Sequence, residues 1–279
     1  MAFPFPLKTT AVLAFLSATS LISAAPYVDW MNDYTGNEAN TIALWKFDAD
    51  PGYNLNSYDG SANPNAYPVS NVNIGTVSTG VAGKFGTGAA LIDNGGDNNS
   101  RVYSINNSST IFNGSAISVE MWYKTPETVD TVGYLFDKMY TTSDGIRMSF
   151  TSGGNLSLRV GNGTTTATLN TSAPILSANT WYHFAATYEN VAGNGILKMY
   201  MNGMLLDQTT VINFGDLTAS TRVWTIGNRS ASSYSPLLGT YDNIRISDVA
   251  YEYSNLIPEP GIALLGALGL GTLFTRRRS

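Results

Sequence analysis

Apolar and polar side chains alternate in short runs over much of the chain between residues 41 and 257. The clearest run is AISVEMWYK, residues 116–124, in which successive side chains of a strand would point to opposite faces of a sheet. One face would carry Ile117, Val119, Met121 and Tyr123, and the other would carry Glu120 and Trp122. Both faces are largely apolar, so this run predicts a strand in the middle of a sheet.

Turn-forming residues separate these runs. In ILKMYMNGMLLDQ, residues 196–208, the pair Asn202-Gly203 accepts the positive φ angles of a two-residue hairpin turn. Similar Gly, Asn and Asp punctuation occurs at 144–145, 153–155, 161–163 and 193–195. The pattern predicts roughly a dozen antiparallel strands, and therefore an all-β sandwich or barrel. Residues 52–80 predict a long loop with one weak strand.

The first 25 residues have the layout of a secretory signal peptide. Lys8 precedes an apolar stretch at 11–16, and the small pair Ala24-Ala25 follows. We predict a signal helix and cleavage by signal peptidase after Ala24, because cleavage one residue later would leave Pro26 at the new N-terminus, where its ring hinders the protease. Residues 25–40 would then form a linker to a domain at 41–257.

The last 22 residues, 258–279, combine Pro258-Glu259-Pro260, an uncharged stretch at 261–274 and a cluster of three arginines. The cluster consists of Arg276, Arg277 and Arg278. As a short hydrophobic helix, 261–274 would be about 21 Å long, against about 30 Å for the hydrocarbon core of a bilayer. Its four glycines weaken such a helix further. The alternatives are a last helix of the domain, a permanent anchor and a temporary sorting label.

Composition narrows the function classes. The formal charge is −5, and removal of both end segments would take away Lys8, Glu259 and the three terminal arginines, lowering the charge to −8. An acidic body argues against nucleic acid as a partner. The chain has no cysteine, so an exported form would be held together by its core without disulfides.

Seven segments together resemble the laminin-G-like, concanavalin A-like jelly-roll family over about residues 40–255. They are LWKFD (44–48), GKFGTGAALIDNGGD (83–97), ISVEMWYK (117–124), WYHFAATY (181–188), LKMYMNGMLL (197–206), WTIGNR (224–229) and GTYDNIRISDVAY (239–251). The resemblance implies two antiparallel sheets packed face to face. It leaves the function open, since this fold carries lectins, hydrolases, adhesion modules and spacers.

Candidate catalytic residues are few. Related glucanases carry Glu-x-Asp-x-x-Glu on one strand, whereas Glu120 is followed here by Met-Trp-Tyr-Lys. The single histidine, His183, is open to three roles, which are general base, metal ligand and core residue. The resemblance implies a packing position for it. Sequence spacing alone also leaves a Ser-His-Asp triad open, because such residues meet only in the fold. We predict a non-enzymatic protein.

Calcium is the one cofactor that the resemblance suggests, because many laminin-G-like domains hold Ca²⁺ at the rim of the sandwich. Asp144, in TTSDG, is the first candidate ligand. Asp93, Asp97 and Asn98, in DNGGDNN, and Asn228, in GNRS, are weaker candidates. None has the spacing of a known calcium loop, and Asp or Asn beside Gly is also a common turn former.

The order of Pro-Glu-Pro, apolar run and arginine cluster resembles the PEP-CTERM sorting signal of Gram-negative bacteria that make exopolysaccharide. This resemblance implies transient inner-membrane insertion, cleavage near 258–260 by an exosortase, and delivery to the cell surface or the extracellular matrix. Together with the jelly-roll resemblance it predicts an exported protein that binds polysaccharide. The rivals are a structural spacer without ligand and a hydrolase with an unfamiliar site.

Overall fold

The structure is a computed structural model. It describes residues 30–32, 40–45, 47, 77–86, 88–93, 114–129, 132–139, 143–172, 174, 176–220, 222, 224–229 and 236–253. Both end segments, 1–24 and 258–279, lie outside the described residues, so the predicted signal helix and the predicted C-terminal helix have no structural account here. Within the described ranges, no helix is long and apolar enough to cross a membrane.

The described part of the chain contains thirteen strands. They are β1 (Thr41–Trp45), β2 (Val77–Thr79), β3 (Ala90–Ile92), β4 (Ala116–Lys124), β5 (Gly133–Asp137), β6 (Asp144–Phe150), β7 (Leu156–Asn162), β8 (Thr166–Asn170), β9 (Trp181–Val191), β10 (Asn194–Met201), β11 (Met204–Val211), β12 (Thr225–Ile226) and β13 (Gly239–Ser247). The all-β prediction is confirmed for these residues.

The strands form two antiparallel sheets, an arrangement consistent with a jelly-roll sandwich. The eight-stranded sheet has the order β11-β10-β9-β4-β13-β3-β2, and β1 also pairs with β13. The five-stranded sheet has the order β12-β5-β6-β7-β8. Long strands β4 and β9 lie in the middle of the larger sheet and pair over nine residues, from Ala116↔Glu189 to Lys124↔Trp181.

The main core lies between the two sheets. The predicted inner face of β4 is confirmed, since Ile117, Val119, Met121 and Tyr123 all belong to this core. The five-stranded sheet contributes the alternate residues Ile146, Met148, Leu158 and Val160. Each fully buried side chain of this kind contributes about 1.5–3 kcal/mol to stability, which allows a chain without disulfides to hold together.

The structure confirms one of the predicted glycine turns and contradicts another. Asn202 and Gly203 have φ angles of 50° and 72°, as the predicted hairpin turn requires. The prediction of a turn at 144–145 is wrong, because both residues lie in β6. Gly145 has a φ of 92°, and a Cβ atom there would lie 2.3 Å from the carbonyl oxygen of Lys138. Close approach of a neighbouring segment therefore explains this glycine.

A segment before the first strand packs against the larger sheet. Trp30, which the sequence assigns to a linker, is only 4% exposed. Its ring stacks on His183 at a centroid distance of 4.7 Å and lies 5.7 Å from the ring of Trp122. Tyr251 and Tyr253, after the last strand, belong to the same cluster. Segments from both ends of the domain thus cover the outer face of this sheet.

Candidate functional site

The outer face of the five-stranded sheet is polar and partly open. Its inward residues belong to the core, so the residues between them point outward. Arg147 on β6 lies directly opposite Arg159 on β7 and opposite Asp137 on β5. Directly paired residues of antiparallel strands share a face. A row of charged side chains therefore crosses this sheet.

Tyr134 adds an aromatic ring to the same face. The guanidinium carbon of Arg147 lies 5.8 Å from the centre of this ring, a distance at which cation–π attraction operates. Burial is the largest influence on Arg147 and lowers the pKa of its guanidinium, and the positive charges of Arg159 and Arg229 lower it further, while Tyr134 and Asp137 raise it. The positive charges on this face are therefore close enough to repel one another.

An open cleft adjoins the arginine row at the end of β7. Its volume is about 660 Å³, which falls within the range typical of ligand pockets. It is lined by Ser143, Asp144, Arg159, Gly163, Thr164, Thr165, Thr166 and Thr218. Six of these eight residues carry no charge, and five of those six carry a hydroxyl group. The lining thus offers many hydrogen-bond donors and acceptors together with one guanidinium.

Asn162, the last residue of β7, fixes the rim of the cleft. Its side-chain oxygen accepts hydrogen bonds from the backbone N–H groups of Thr164 (2.9 Å) and Thr165 (2.7 Å). Its side-chain nitrogen donates to the carbonyl of Phe214 at 2.7 Å, and its own carbonyl accepts from the hydroxyl of Thr218 at 2.8 Å. The cleft is therefore built by the turn between β7 and β8 and by the segment that follows β11.

Asp144, the predicted calcium ligand, lies in this cleft beside cations. Burial lowers the pKa of Lys138 to about 8, and the negative charge of Asp144 opposes that shift. The Lys138 ammonium donates to the carbonyl of Arg222 at 2.9 Å. Among the described residues, no group of three or more His, Cys, Asp or Glu is placed to hold a metal ion. Calcium binding at Asp144 stays a prediction.

Two other candidate calcium ligands, Asp93 and Asn228, do not line the cleft. Asp93 is exposed just after β3, whereas Asp97 and Asn98 lie outside the described residues. Asn228 is buried, and its side-chain oxygen accepts a hydrogen bond from the backbone N–H of Arg229 at 2.7 Å. Asn228 therefore has a local structural role at the end of β12.

A second polar cluster is fully enclosed on the outer face of the larger sheet. Glu120 accepts a hydrogen bond from Nε of Arg245 at 2.6 Å and lies 3.0 Å from Nε2 of His183. The three side chains are at most 1% exposed. Glu120 is placed opposite Arg245 by strand pairing, and His183 lies opposite Trp122. A substrate cannot reach this histidine, so the cluster is structural.

The enclosure also sets the protonation of His183. Burial is the largest influence and lowers the pKa of the imidazole, Arg245 lowers it further, and Glu120 raises it through a hydrogen bond and its charge. We therefore assign a neutral ring whose Nε2–H donates to Glu120. Its Nδ1 atom is buried and has no hydrogen-bond partner among the described residues. Glu120 was not predicted from the sequence as the acidic partner of His183, because the two residues are 63 positions apart.

Comparison with known proteins identifies the family. The family described as the concanavalin A-like lectin/glucanases superfamily matches residues 94–254. Among curated proteins, no sequence shows a significant match to the chain.

Solved structures share the fold. Domain 4 of AbnA, a GH43 extracellular arabinanase from Geobacillus stearothermophilus, in complex with arabinotriose, has a TM-score of 0.52 and 20% identity over 77% of this chain and 95% of that one. The binding domain of Paraclostridial Mosquitocidal Protein 1 has a TM-score of 0.55 and 18% identity over 76% and 49%. A structure of botulinum neurotoxin type C, whose cell entry is described as dependent on two ganglioside molecules, has a TM-score of 0.52 and 17% identity over 76% and 48%. The chain thus spans about half the length of these two toxin structures.

Proposed function

Because the chain belongs to the concanavalin A-like lectin/glucanases superfamily, we propose that it is an exported, non-enzymatic protein that binds polysaccharide at the cell surface or in the extracellular matrix. The observation that carries this proposal is the cleft of about 660 Å³ on the rim of the five-stranded sheet. Its hydroxyl groups can exchange hydrogen bonds with the hydroxyl groups of sugars, and the hydrogen bonds of Asn162 hold the turn that forms its rim.

The names of similar structures support a sugar ligand. One is a domain in complex with arabinotriose, and another is a toxin that interacts with gangliosides. Both are similar to this chain at 20% identity or less, so they support the class of ligand by analogy and leave its identity open.

The charged groups favour binding over hydrolysis. Glycoside hydrolysis commonly uses two carboxyl groups on either side of the scissile bond, and the described lining of the cleft contains one, Asp144. The enclosed Glu120 is engaged by Arg245 and His183. These placements support a non-enzymatic role for the domain.

Affinity electrophoresis tests the proposed binding. The protein as exported by its host would run through native gels that each contain one neutral or acidic polysaccharide, with and without Ca²⁺. We expect retardation in at least one gel. Migration in every gel like that of a non-binding reference protein would contradict the proposal and favour a structural spacer. Release of shortened sugars from a bound polysaccharide would contradict the non-enzymatic assignment.

Two tryptophan substitutions locate the binding surface. Thr164 is exposed in the cleft, and Thr164→Trp would fill the cleft and reduce retardation. Gln208 is exposed on β11 opposite Lys198, on the other sheet, so Gln208→Trp is a matched control that should leave retardation unchanged. Equal effects of both substitutions would place the binding surface elsewhere.

In this proposal, the two end segments direct the export of the protein and its delivery to the cell surface. Residues 1–24 act as a signal peptide, 25–40 as a linker whose Trp30 packs on the domain, 41–257 as the domain and 258–279 as a sorting signal. The apolar run holds the precursor in the inner membrane, with the terminal arginines on the cytoplasmic side. Proline keeps 258–260 extended outside the bilayer, where an exosortase cuts.

Alanine substitution tests the sorting step. Replacing residues 258–260 by alanine should leave uncut precursor in the inner membrane of the native host. Replacing residues 254–256 by alanine is the matched control and should leave processing intact. Immunoblots of membrane and surface fractions measure both forms. Normal processing of the first variant would contradict the sorting assignment.

A further inference from the structure

Two arginines occupy directly opposed positions on neighbouring strands of the five-stranded sheet. Arg147 and Arg159 pair across β6 and β7 and share the outer face. Like charges directly opposite each other destabilise a sheet. Such a pair therefore works against folding, and local conflicts of this kind are expected where a protein binds a ligand.

The arginine pair has charged neighbours of both signs. Asp137 lies opposite Arg147 on the other side and provides one negative charge. The charge of Arg229 acts on Arg147 with the same sign as that of Arg159. The formal charge of the whole chain is −5, so this row is a local concentration of positive charge on an acidic protein. It would attract anions and would do so most strongly at low salt.

Arg159 still has hydrogen-bonding capacity. One of its terminal nitrogens donates to the hydroxyl of Thr166 at 3.1 Å, and its Nε atom is buried with no hydrogen-bond partner among the described residues. A guanidinium has five N–H donors in a planar fork that matches a carboxylate. The same side chain lines the cleft, so an anion bound there would contact both the arginine row and the hydroxyl groups.

We infer that the cleft and the adjoining arginine row bind an acidic polysaccharide, with the carboxylate of a uronic acid placed between Arg147 and Arg159. The anion would relieve the repulsion between the two guanidinium groups, and the hydroxyls of Thr164 and Thr166 would hydrogen-bond the sugar ring. This inference rests on the proposed polysaccharide-binding function and names the class of polysaccharide.

A matched pair of polymers tests this inference on the exported protein. Polygalacturonate carries carboxylates, and its fully methyl-esterified form has the same backbone without the charge. We expect at least tenfold tighter binding to the charged form, and weaker binding as salt is raised. Equal binding to both forms, or binding to neutral glucans alone, would overturn the inference and leave the proposed function intact. Absence of binding to any polysaccharide would instead overturn the proposed function.

Dextran sulfate, with uncharged dextran as its control, distinguishes a sulfate ligand from a carboxylate ligand. Tighter binding to polygalacturonate than to dextran sulfate would support a carboxylate ligand, because the paired guanidinium forks match its planar geometry. Binding to dextran sulfate without binding to polygalacturonate would overturn that choice.

Three glutamine substitutions assign the binding to the two arginines. Arg147→Gln and Arg159→Gln should each weaken polygalacturonate binding by about tenfold to a hundredfold, the loss expected for one charge-assisted pair. Lys198 lies on the other sheet beside Glu252, and Lys198→Gln removes the same charge as a control that should keep binding. Arg159→Gln should also leave the melting temperature unchanged or raise it, because a like-charge contact is removed. A lower melting temperature with unchanged affinity would overturn the assignment and indicate a structural role.

Discussion

The stability of the domain should depend on pH through one side chain. His183 is the only histidine in the chain, and histidine is the side chain that ordinarily titrates between about pH 5 and 8. Burial lowers its pKa in the folded state from the ordinary value of 6.5. As the pH falls below 6.5, the unfolded chain therefore takes up the proton first. The contribution of neutral His183 to stability is complete above pH 6.5 and is lost below it.

Linkage gives the size of the effect. Where the unfolded state holds one proton more than the folded state, the free energy of unfolding falls by about 1.4 kcal/mol for each unit by which the pH is lowered. Domains of ordinary stability unfold with about 5–15 kcal/mol. A drop of one pH unit below 6.5 would therefore remove a measurable fraction of the stability, with the steepest change below that value.

Urea denaturation of the tag-free protein, in steps from pH 7.5 to 5.5, measures this dependence. His183→Gln is the matched control, because the glutamine amide can still donate a hydrogen bond to Glu120 but does not titrate. We expect the variant to be less stable at pH 7.5, since it loses the stacking on Trp30, and to show a nearly flat profile. A flat profile in the natural protein, or the same slope in both proteins, would refute the reasoning.

Two further substitutions test packing by denaturation. Trp30→Ala should lower the free energy of unfolding by about 3–5 kcal/mol, as for other buried tryptophans, whereas Met31→Ala, at a residue 44% exposed, should change it little. Equal changes would show that Trp30 is not docked as described. Gly145→Ala should cost about 2 kcal/mol or more, because its positive φ and close contact with Lys138 disfavour a side chain. Gly114→Ala, where a Cβ would have no neighbour within 4 Å, is the control, and a similar cost there would contradict this account.

Strand positions could be predicted from the sequence because the alternation of apolar and polar residues is a local pattern. The two faces of β4 followed from the order of its residues, and the hairpin between β10 and β11 followed from Asn202-Gly203. The turn predicted at 144–145 was wrong because the reason for Gly145 is a contact with a different segment. The sequence alone does not show whether a glycine forms a turn or allows a neighbouring segment to approach the backbone of a strand.

The candidate site was harder to predict from the sequence because its residues come together only through strand pairing. Arg147 and Arg159 are twelve positions apart, and their opposition depends on the register of β6 and β7. Counting outward from the glycines at 153–154 could have suggested this pairing. The partners of Glu120 could not be found in that way, since Arg245 lies 125 positions along the chain. Trp30 gave no periodic pattern to mark its docking.

Hydrogen exchange of the exported protein, measured by mass spectrometry with and without a bound polysaccharide, tests the central claim most directly. The account predicts slower exchange in the turn at 163–165 and along β7 and β8 when the polysaccharide is present, and unchanged exchange in β11, at the edge of the other sheet. Slower exchange in β11 with no change at 163–165 would contradict the assignment of the cleft as the polysaccharide-binding site.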